Sequence, residues 1–560
     1  MQGATTLSEQ SADDKRETSF DAVVVGAGFA GLYMLYKLRA QGLNVRVLEA
    51  GSEVGGTWYW NRYPGARTDS ESYYYAYSFS RELAQEWHWT ERYPSQPELF
   101  RYLNHVADRF ELRRDVSFNT LLTSAHYDEA DNRWRLTTKS GEELSSTYLV
   151  TALGVLSQPN LPHFDGLEDF RGEWYHTGRW PHEPVDFTGK RVGIIGTGSS
   201  GIQAIPQIAR QAAELVVFQR TPNYVVPSQN HPTDPEFERA VKARYDEIFR
   251  EAREHWFAVP LKMTGRMGPN FSPEQQQEIF EAGWSKGGFR FLFDTFDDVM
   301  FNIDTNDAAS EFIRSKIRSI VKDPDTAEVL SPRGYPYGSK RPPVGTDYYE
   351  TFNLDHVSVV DVRKAPLQRI TETGLRTADA DYELDCIVFA TGFDAFTGTL
   401  NKIDIRGRDG RELRERWESG SKSYLGLAAH GFPNMLMVTG PGCPFTNLPV
   451  TIEENVDWIA SCIEYARTNG IATIESTEEA DQFWLDQVNE STAQTLVPRG
   501  EQANSWLTGA NIEGKHRGAT VYFGGADKYF VLCDEIAREG YRGFEMRKSD
   551  TAVSSNPANV

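Results

Sequence analysis

The apolar positions of the chain form short continuous runs that alternate with helical spacings. Near the N-terminus the run 21–25 predicts a buried parallel strand, and Leu32, Leu35 and Leu38 then recur at helical spacing. A glycine-rich turn joins the strand to this helix, and a second short strand is predicted at 45–48. The order of strand, turn, helix and strand predicts one βαβ unit.

The same order returns far along the chain. The run 191–195 predicts a strand, a helix follows it, and a further strand is predicted at 215–218. Between the two units we predict an amphipathic helix over 98–110 and strands at 133–138 and 148–151. Two such units indicate two dinucleotide-binding folds rather than a short repeat array.

From about residue 235 to 329 the pattern changes to long helical stretches. The segment Ser272-Pro-Glu-Gln275 is typical of a capped helix start. Strand patterns resume at 357–361 and 385–392, so the last part of the chain is expected to complete the earlier sheets. We therefore predict an α/β fold with two discontinuous Rossmann-like domains and a helical insertion.

The composition is that of a globular protein with a strong acidic excess. The 560 residues include 58 Lys and Arg against 80 Asp and Glu, a formal net charge of −22. Long-range repulsion from this charge argues against nucleic acid and anionic membranes as partners. The N-terminus is polar and has acids among its bases, unlike a secretory or mitochondrial leader. We expect a cytoplasmic, monomeric protein.

The four cysteines are too few and too scattered for a disulfide framework, and they form no CxxC motif and no zinc knuckle. The sequence therefore predicts no metal site. It also disfavours a disulfide reductase, which needs a redox-active cysteine pair near its flavin. The cysteines are Cys386, Cys443, Cys462 and Cys533.

Each predicted βαβ unit has a GxGxxG turn between its first strand and its helix. Such glycines permit a tight turn and let the backbone approach a pyrophosphate at the helix N-terminus. A lone GxGxxG is a weak signal, but both copies have the full strand–turn–helix context. The predicted cofactor-binding residues are Gly26, Gly28 and Gly31 in the first unit, and Gly196, Thr197, Gly198, Ser199, Ser200, Gly201 and Gln203 in the second.

The residue after the second strand of each unit distinguishes the two ligands. Glu49 can accept hydrogen bonds from ribose hydroxyls, which suits FAD or NAD. In the second unit no acid stands there and Gln219, Arg220 and Thr221 follow Phe218 instead, and an arginine with an adjacent hydroxyl would bind a ribose 2′-phosphate. The second site therefore suits NADP, unless Arg220 is a solvated surface arginine.

Two sequence patterns identify the chemistry. GGxW followed by [FY]P[GM] and an Asp runs from Gly55 to Asp69. FxGxxxHxxxWP lies between the two glycine turns, with its fixed positions at Phe170, Gly172, His176, Trp180 and Pro181. These are fingerprints of type I Baeyer–Villiger monooxygenases, and from about Phe20 to Phe544 the chain resembles this family, most closely the phenylacetone, steroid and cyclohexanone monooxygenases.

This resemblance implies a flavoenzyme that uses NADPH to reduce FAD. The reduced flavin would add O2 to form a C4a-peroxyflavin, which inserts one oxygen beside a ketone carbonyl and gives an ester or a lactone. The peroxide must stay deprotonated, so the site must stabilise negative charge and exclude water. Oxidation of sulfides is implied as a further activity.

The resemblance also implies roles for single residues. Arg341 would stabilise the peroxide and the tetrahedral adduct, Asp69 would orient Arg341, and Lys340 would reach the 2′-phosphate. The other cofactor-binding residues that it implies are Gly56, Thr57, Trp58, Tyr75, Thr391, Gly392 and Trp506. The implied substrate pocket consists of Phe445, Leu448 and Pro449. The FxGxxxHxxxWP residues would form a hinge between the domains.

The organisation of the chain gives predicted domain boundaries. The FAD domain is predicted at 20–155 and 391–545, and the NADP domain at 156–228 and 341–390. The insertion would span 229–340, and 1–19 and 546–560 would be flexible termini.

Several alternatives stay open on the residues alone. Without the family match, Arg341 and Lys340 would be interpreted as a surface basic pair, and Asp69 as a helix N-cap. We expect His176 to be a packing residue rather than an acid or base, and Trp58 could be part of the core. At the level of function, the alternatives are an N- or S-oxygenating flavin monooxygenase and a non-catalytic flavin-binding protein.

Overall fold

Two sheets with parallel strands organise the protein. The computed structural model describes residues 18–548, apart from the side chain of Glu501. Its strands are β1 (Ser19–Val25), β2 (Val45–Leu48), β3 (Val116–Ser117), β4 (Leu122–Asp128), β5 (Arg133–Thr138), β6 (Glu143–Thr151), β7 (Gln158–Pro159), β8 (Glu173–His176), β9 (Arg191–Ile195), β10 (Glu214–Gln219), β11 (Val226–Pro227), β12 (Val344–Gly345), β13 (Val357–Asp361), β14 (Leu367–Thr371), β15 (Gly374–Thr377), β16 (Asp381–Glu383), β17 (Cys386–Phe389), β18 (Phe393–Asp394), β19 (Asp404–Arg406), β20 (Met435–Met437), β21 (Ile471–Ser476) and β22 (Phe544–Lys548).

Helices cover both sheets and form a separate block between α5 and α12. They are α1 (Phe29–Ala40), α2 (Thr57–Trp60), α3 (Arg81–Glu86), α4 (Gln96–Arg109), α5 (Ser199–Ala209), α6 (Pro235–Ala243), α7 (Tyr245–Arg253), α8 (Pro273–Lys286), α9 (Arg290–Phe293), α10 (Ile303–Ile320), α11 (Pro324–Leu330), α12 (Tyr348–Thr351), α13 (Thr397–Leu400), α14 (Leu413–Arg416), α15 (Leu448–Thr468), α16 (Glu478–Ala493) and α17 (Ala526–Arg538).

The first sheet has the strand order β19-β4-β5-β6-β1-β2-β3, and β20 pairs with β6. β1 lies parallel to β2 and to β6, with Ala22 opposite both Val45 and Tyr148. Residues 22–25 are all buried, as expected for an apolar strand that is covered on both faces. The first predicted βαβ unit is therefore confirmed.

The second sheet has the order β13-β10-β9-β17-β8, and every neighbouring pair is parallel. In this sheet α5 follows β9 just as α1 follows β1, which confirms the second βαβ unit and the predicted fold class. Each sheet combines strands from separate stretches of the chain. The first uses 19–151 and 404–437, and the second uses 173–219 and 357–389.

The helical block between the two parts of the second sheet begins with α6. The predicted capped start of α8 is confirmed, because the Ser272 hydroxyl accepts from the N–H of Gln275 and the Gln275 side chain accepts from the N–H of Ser272. Apolar residues of α8 and α10 share one core with α5 and β10. The block is thus packed onto the second sheet.

The ends of the described chain differ in part from the predicted flexible termini. Ser19 begins β1 and residues 546–548 belong to β22, whereas 1–17 and 549–560 lie outside the described residues. Within 18–548, no helix is long and apolar enough to cross a membrane. The same residues contain no cluster of His, Cys, Asp and Glu that could hold a metal ion.

Candidate active site

The first glycine turn lies where β1 ends and α1 begins. Gly26 has a φ of +104°, and a Cβ there would lie 2.5 Å from the carbonyl oxygen of Ala152. A Cβ on Gly31 would lie 1.8 Å from the carbonyl oxygen of Gly26, so Gly31 lets α1 pack against the turn. Gly28 is the N-cap residue of α1. The turn therefore presents a helix N-terminus with no side chain in front of it, as a phosphate requires.

Glu49 follows β2 and is buried beneath this turn. Its Oε2 accepts from the N–H of Ala27 at 2.8 Å, and its Oε1 accepts from the N–H of Gly51 at 2.7 Å. Burial outweighs these bonds and raises the pKa of the Glu49 carboxyl. The structure thus shows Glu49 holding the turn, while its contact with a ribose stays a prediction.

A cavity of about 590 Å³ opens in front of the first turn. The predicted residues that line it are Gly26, Gly28, Glu49, Gly56, Thr57, Trp58, Asp69, Tyr75, Ser199, Ser200, Gln203, Arg341, Phe445, Leu448, Pro449 and Trp506. The predicted residues outside its lining are Gly31, Gly196, Thr197, Gly198, Gly201, Arg220, Thr221, Lys340, Thr391, Gly392 and the five fingerprint residues. The cavity brings together the first turn, the start of α5, the predicted catalytic pair and the predicted substrate pocket.

Arg341 and Asp69 form a bidentate ion pair on the cavity wall. Nη2 of Arg341 donates to Oδ1 of Asp69 at 2.7 Å, and Nη1 donates to Oδ2. Burial opposes the charge of Arg341, but the carboxylate of Asp69 prevails and raises the pKa of Arg341. The ring of Phe289 lies 5.5 Å from the guanidinium carbon. Arg341 is therefore a fixed cation at the cavity rather than a surface basic residue, and Asp69 caps no helix.

The second glycine turn repeats the geometry of the first. Gly196 has a φ of +108°, and a Cβ on Gly201 would lie 2.2 Å from its carbonyl oxygen. A Cβ on Gly198 would meet nothing within 4 Å, so the approach to the start of α5 is open. Thr197 fixes the turn, because its hydroxyl donates to the carbonyl oxygen of Thr221 at 3.2 Å.

Two cations stand beside the second turn. Arg220 follows β10 and is exposed, and Lys340 is half-buried. Burial and the positive charge of Arg220 lower the pKa of Lys340 to about 8. Among residues 18–500 and 502–548, neither side chain forms an ion pair with a carboxylate. Two neighbouring cations are typical of a site for an anionic group such as a 2′-phosphate. This arrangement favours an anion-binding role for Arg220 over that of a solvated surface arginine.

Gln203 connects α5 to the loop that precedes Asp69. Its Oε1 accepts from the hydroxyl of Tyr63 at 2.8 Å, and its Nε2 donates to the carbonyl oxygen of Arg67 at 3.1 Å. A Cβ on Gly65 would lie 2.4 Å from the carbonyl oxygen of Gln203, so the two backbones touch. The second unit is thus fixed against the loop of the predicted catalytic carboxylate.

His176 ends β8 and lies between the two segments that connect the sheets. Its Nδ1 accepts from the N–H of Gly178 at 3.0 Å, so Nε2 bears the proton and faces the carbonyl oxygen of Asn160 at 3.3 Å. The hydroxyl of Thr391 donates to the same oxygen. Burial lowers the pKa of His176, which keeps it neutral. This arrangement supports a hinge role and leaves no free nitrogen for acid–base chemistry.

The other fingerprint residues are part of the packing. Phe170 belongs to an apolar core on the second sheet, and Gly172 lies so close to its neighbours that a Cβ would meet a backbone oxygen at 2.5 Å. Trp180 is buried, and Pro181 follows it. Gly392 has a φ of +84° directly after Thr391. These residues shape the connection between the sheets rather than the cavity.

An apolar wall lines the cavity around the start of α15. The ring of Phe445 lies 5.3 Å from that of Phe257 and 6.4 Å from that of Trp506. Leu448 and Pro449 are the first residues of α15 and line the cavity, so the N-terminus of this 21-residue helix is at the site. A helix N-terminus stabilises negative charge, and an apolar wall offers water no hydrogen-bond partners.

Comparisons with known proteins identify the family. Residues 23–266 match a family profile described as pyridine nucleotide-disulphide oxidoreductase. The chain is 46% identical to a Baeyer–Villiger monooxygenase of Pseudooceanicola batsensis, over 93% of this chain and 95% of that protein. A solved structure, oxidized steroid monooxygenase bound to NADP, is similar with a TM-score of 0.90 and 47% identity, over 95% of this chain and all of that chain. The chain belongs to the Baeyer–Villiger monooxygenases.

A further relative has a different named activity. Phenazine N-monooxygenase PhzNO1 of Lysobacter antibioticus is 43% identical, over 96% of this chain and 99% of that protein. The profile match does not indicate a disulfide reductase, because residues 23–266 contain no cysteine. All four cysteines of this Baeyer–Villiger monooxygenase are buried and free. The match therefore reflects the shared dinucleotide-binding fold.

Two residues that line the cavity of this Baeyer–Villiger monooxygenase were not predicted from the sequence. Arg179 lies 4.5 Å above the ring of Trp60 and donates to the carbonyl oxygen of Ser157 at 3.2 Å. Arg179 stands directly before Trp180, inside the FxGxxxHxxxWP pattern, and a cation at that position could have indicated a residue of the site. Phe257 comes from the helical block, and only tertiary packing places it on the cavity wall.

Proposed function

We propose that this chain is an FAD-dependent monooxygenase that consumes NADPH and O2 and inserts one oxygen atom next to a ketone carbonyl, giving an ester or a lactone. The observation on which this depends is the ion pair of Arg341 and Asp69 on the wall of the cavity in front of the first glycine turn. Attack on a ketone carbonyl generates negative charge on oxygen, and a preorganised cation stabilises that charge.

The first turn and its cavity fit FAD. The N-terminus of α1 faces an opening, and the close approach of Gly28 and Gly56 leaves no room for side chains between backbone and ligand. Trp58 and Tyr75 line the same cavity. FAD, when bound and reduced, would be the group that reacts with O2. The chain's own groups hold it in place and keep water away.

Arg341 acts at the ketone oxygen. Asp69 takes a donor from each terminal nitrogen and so fixes the plane of the guanidinium, and the remaining N–H donors are available to the reacting oxygen atoms. Because Asp69 raises the pKa of Arg341, this cation keeps its charge throughout the working pH range. The apolar wall of Phe257, Phe445 and Leu448 offers a place for the hydrocarbon part of the ketone.

NADPH belongs at the second turn. The open approach at Gly198 suits its pyrophosphate, and the neighbouring cations Arg220 and Lys340 suit its 2′-phosphate, with Thr221 beside them. Trp506 lines the FAD cavity and lies near Phe445, which supports its predicted contact with the nicotinamide cofactor. Cytoplasmic location and a monomeric state are part of this proposal on the sequence alone.

A ketone panel tests the proposal. We expect a cyclic, aromatic, linear or steroid ketone to accelerate NADPH oxidation under air and to return a product heavier by one oxygen atom in mass spectrometry. The control is the same mixture without O2, in which NADPH reduces the flavin and no ester forms. Reduction of the flavin with every ketone returned unchanged would contradict the proposal.

N- or S-oxygenation is the second candidate, favoured by the similarity to the phenazine N-monooxygenase. A nucleophilic nitrogen or sulfur attacks oxygen directly, so no oxyanion forms on the substrate and Arg341 has less to stabilise. Sulfides and aromatic N-heterocycles therefore belong in the same panel. If only these are oxidised, the second candidate replaces the first, and if nothing is oxidised, a non-catalytic flavin-binding protein is left.

A further inference from the structure

Glu71 is a buried carboxylate that the proposed reaction does not use. It lies two residues after Asp69 and is 5% exposed. Its Oε1 accepts from Nη2 of Arg92 and from Nε of Arg290, both at 3.0 Å. Arg92 comes from the same part of the chain, whereas Arg290 is the first residue of α9 in the helical block. One oxygen atom thus joins two distant segments.

Both segments touch Arg341. On one side Asp69 forms the bidentate ion pair with the guanidinium. On the other side Phe289, directly before Arg290, places its ring 5.5 Å from the same guanidinium. Backbone hydrogen bonds on either side of Asp69, from Thr68 to Pro94 at 3.2 Å and from Ser72 to Arg92 at 2.8 Å, hold this segment against residues 92–94, and the Glu71 carboxylate joins it to Arg290 of the helical block. The carboxylate of Glu71 is therefore well placed to set the distance between Asp69 and Phe289.

The charges around Glu71 show what its loss would do. Two guanidinium groups share one carboxylate, and without it they would be like charges in a buried place. The nearest other carboxylate to Arg290 is Asp294, whose Oδ2 lies 3.7 Å from Nη1 of Arg290 and 2.7 Å from Nζ of Lys286. Arg290 would turn towards Asp294, and Phe289 would move with it.

We propose that Glu71 and Arg290 are positioning residues that hold Arg341 in its reactive place through Asp69 and Phe289. Neither side chain lines the cavity, so neither acts on substrate or cofactor directly. The inference rests on the proposed function, because it concerns the transfer of oxygen to the ketone. Substitution of Glu71 or Arg290 should therefore lower the coupling between NADPH use and ester formation, and it should leave cofactor binding intact because FAD and NADPH bind at other residues.

The test uses the full-length holoenzyme and the variants Glu71→Gln and Arg290→Ala. We expect the rate of flavin reduction and the KM for NADPH to stay within about twofold of wild type. Ester formed per NADPH consumed should fall about tenfold, with hydrogen peroxide making up the difference, because a displacement of about 1 Å can cost up to about 100-fold in rate. Arg290→Lys retains the charge and should restore part of the coupling.

Lys316→Ala is the matched control, because it removes an ion pair with Glu281 in the same block without touching Glu71, Arg290 or Asp294. It should leave coupling unchanged. If Glu71→Gln does not fold, the partly exposed Arg290 provides the decisive variant. Wild-type coupling in a folded variant would overturn the inference, even if its melting temperature falls. A wild-type enzyme that forms no ester would instead contradict the proposed function.

Discussion

The two glycine turns share a backbone and differ in their surroundings. Gly26 and Gly196 have nearly the same φ, +104° and +108°, and in each unit a later glycine lets the helix pack on the turn. The second strand of the first unit leads to the buried carboxylate of Glu49, which holds its own turn. In the second unit Gln219 takes that place and Arg220, the next residue, stands beside Lys340. Among residues 18–500 and 502–548, neither of these two cations has a carboxylate partner. The two turns therefore have the same backbone geometry, but an acidic residue lies beside the first and basic residues lie beside the second.

Lys340 and Arg341 show the same difference in adjacent residues. Asp69 pairs with Arg341 and raises its pKa against the effect of burial. For Lys340, burial together with the positive charge of Arg220 lowers the pKa to about 8. One cation is permanently charged at the cavity, and its neighbour can lose its charge in mildly alkaline solution. The local environment, more than the residue type, separates the two tasks.

The largest expected effect is that of Arg341→Ala. Removing the cation that stabilises the reacting oxygen should lower the rate of ester formation about 1,000-fold. FAD content and anaerobic flavin reduction should stay close to wild type, because other residues hold both cofactors. Stopped-flow absorbance and product analysis give the two rates. Lys340→Ala is the control, and at saturating NADPH it should keep its ester yield. A full ester yield from Arg341→Ala would remove the catalytic role of that residue.

The next largest effect is expected for Arg220→Ala, which changes the second turn and leaves the first turn unchanged. Loss of a charge-assisted contact with the 2′-phosphate should lower kcat/KM for NADPH about 10- to 100-fold. The value for NADH should hardly change, because NADH lacks this phosphate. Arg210 is exposed in the same unit and pairs with Asp347, so Arg210→Ala controls for net charge. Equal losses for both coenzymes would contradict the assignment of Arg220.

The sequence predicted the fold because the fold depends on local patterns, whereas the roles of the site residues stay predictions. Strand runs, glycine turns and the ends of β2 and β10 lie within short stretches of chain. Arg341 and Asp69 needed the family resemblance, since nothing local shows that residues so far apart will pair. Phe257 and the partners of Glu71 escaped for the same reason. Their places come from the packing of the helical block, which periodicity does not encode.

Glu49→Gln tests the first turn in the same manner. A glutamine has one oxygen acceptor, so one of the N–H groups of Ala27 and Gly51 loses its partner and the turn loosens. We expect the Kd for FAD, from fluorescence titration of apoenzyme, to rise about tenfold. The KM for NADPH should not change. Glu53→Gln, at a half-buried carboxylate paired with Arg113, is the control. A loss of NADPH affinity with unchanged FAD affinity would contradict the assignment of Glu49 to the first turn.

The smallest expected effect is a pH dependence confined to the second turn. Lys340 is protonated below about pH 8 and loses its charge above it, so its attraction for the 2′-phosphate is present at low pH and lost at high pH. The ratio of kcat/KM for NADPH to that for NADH should fall about fivefold from about pH 7 to about pH 9.5, because kcat/KM reports the free enzyme. Lys340→Arg should make the ratio nearly constant, since arginine does not titrate in this range. A wild-type ratio that stays level, or one that falls equally in Lys340→Arg, would assign the pH dependence to another group and leave Arg220 as the main contact of the phosphate.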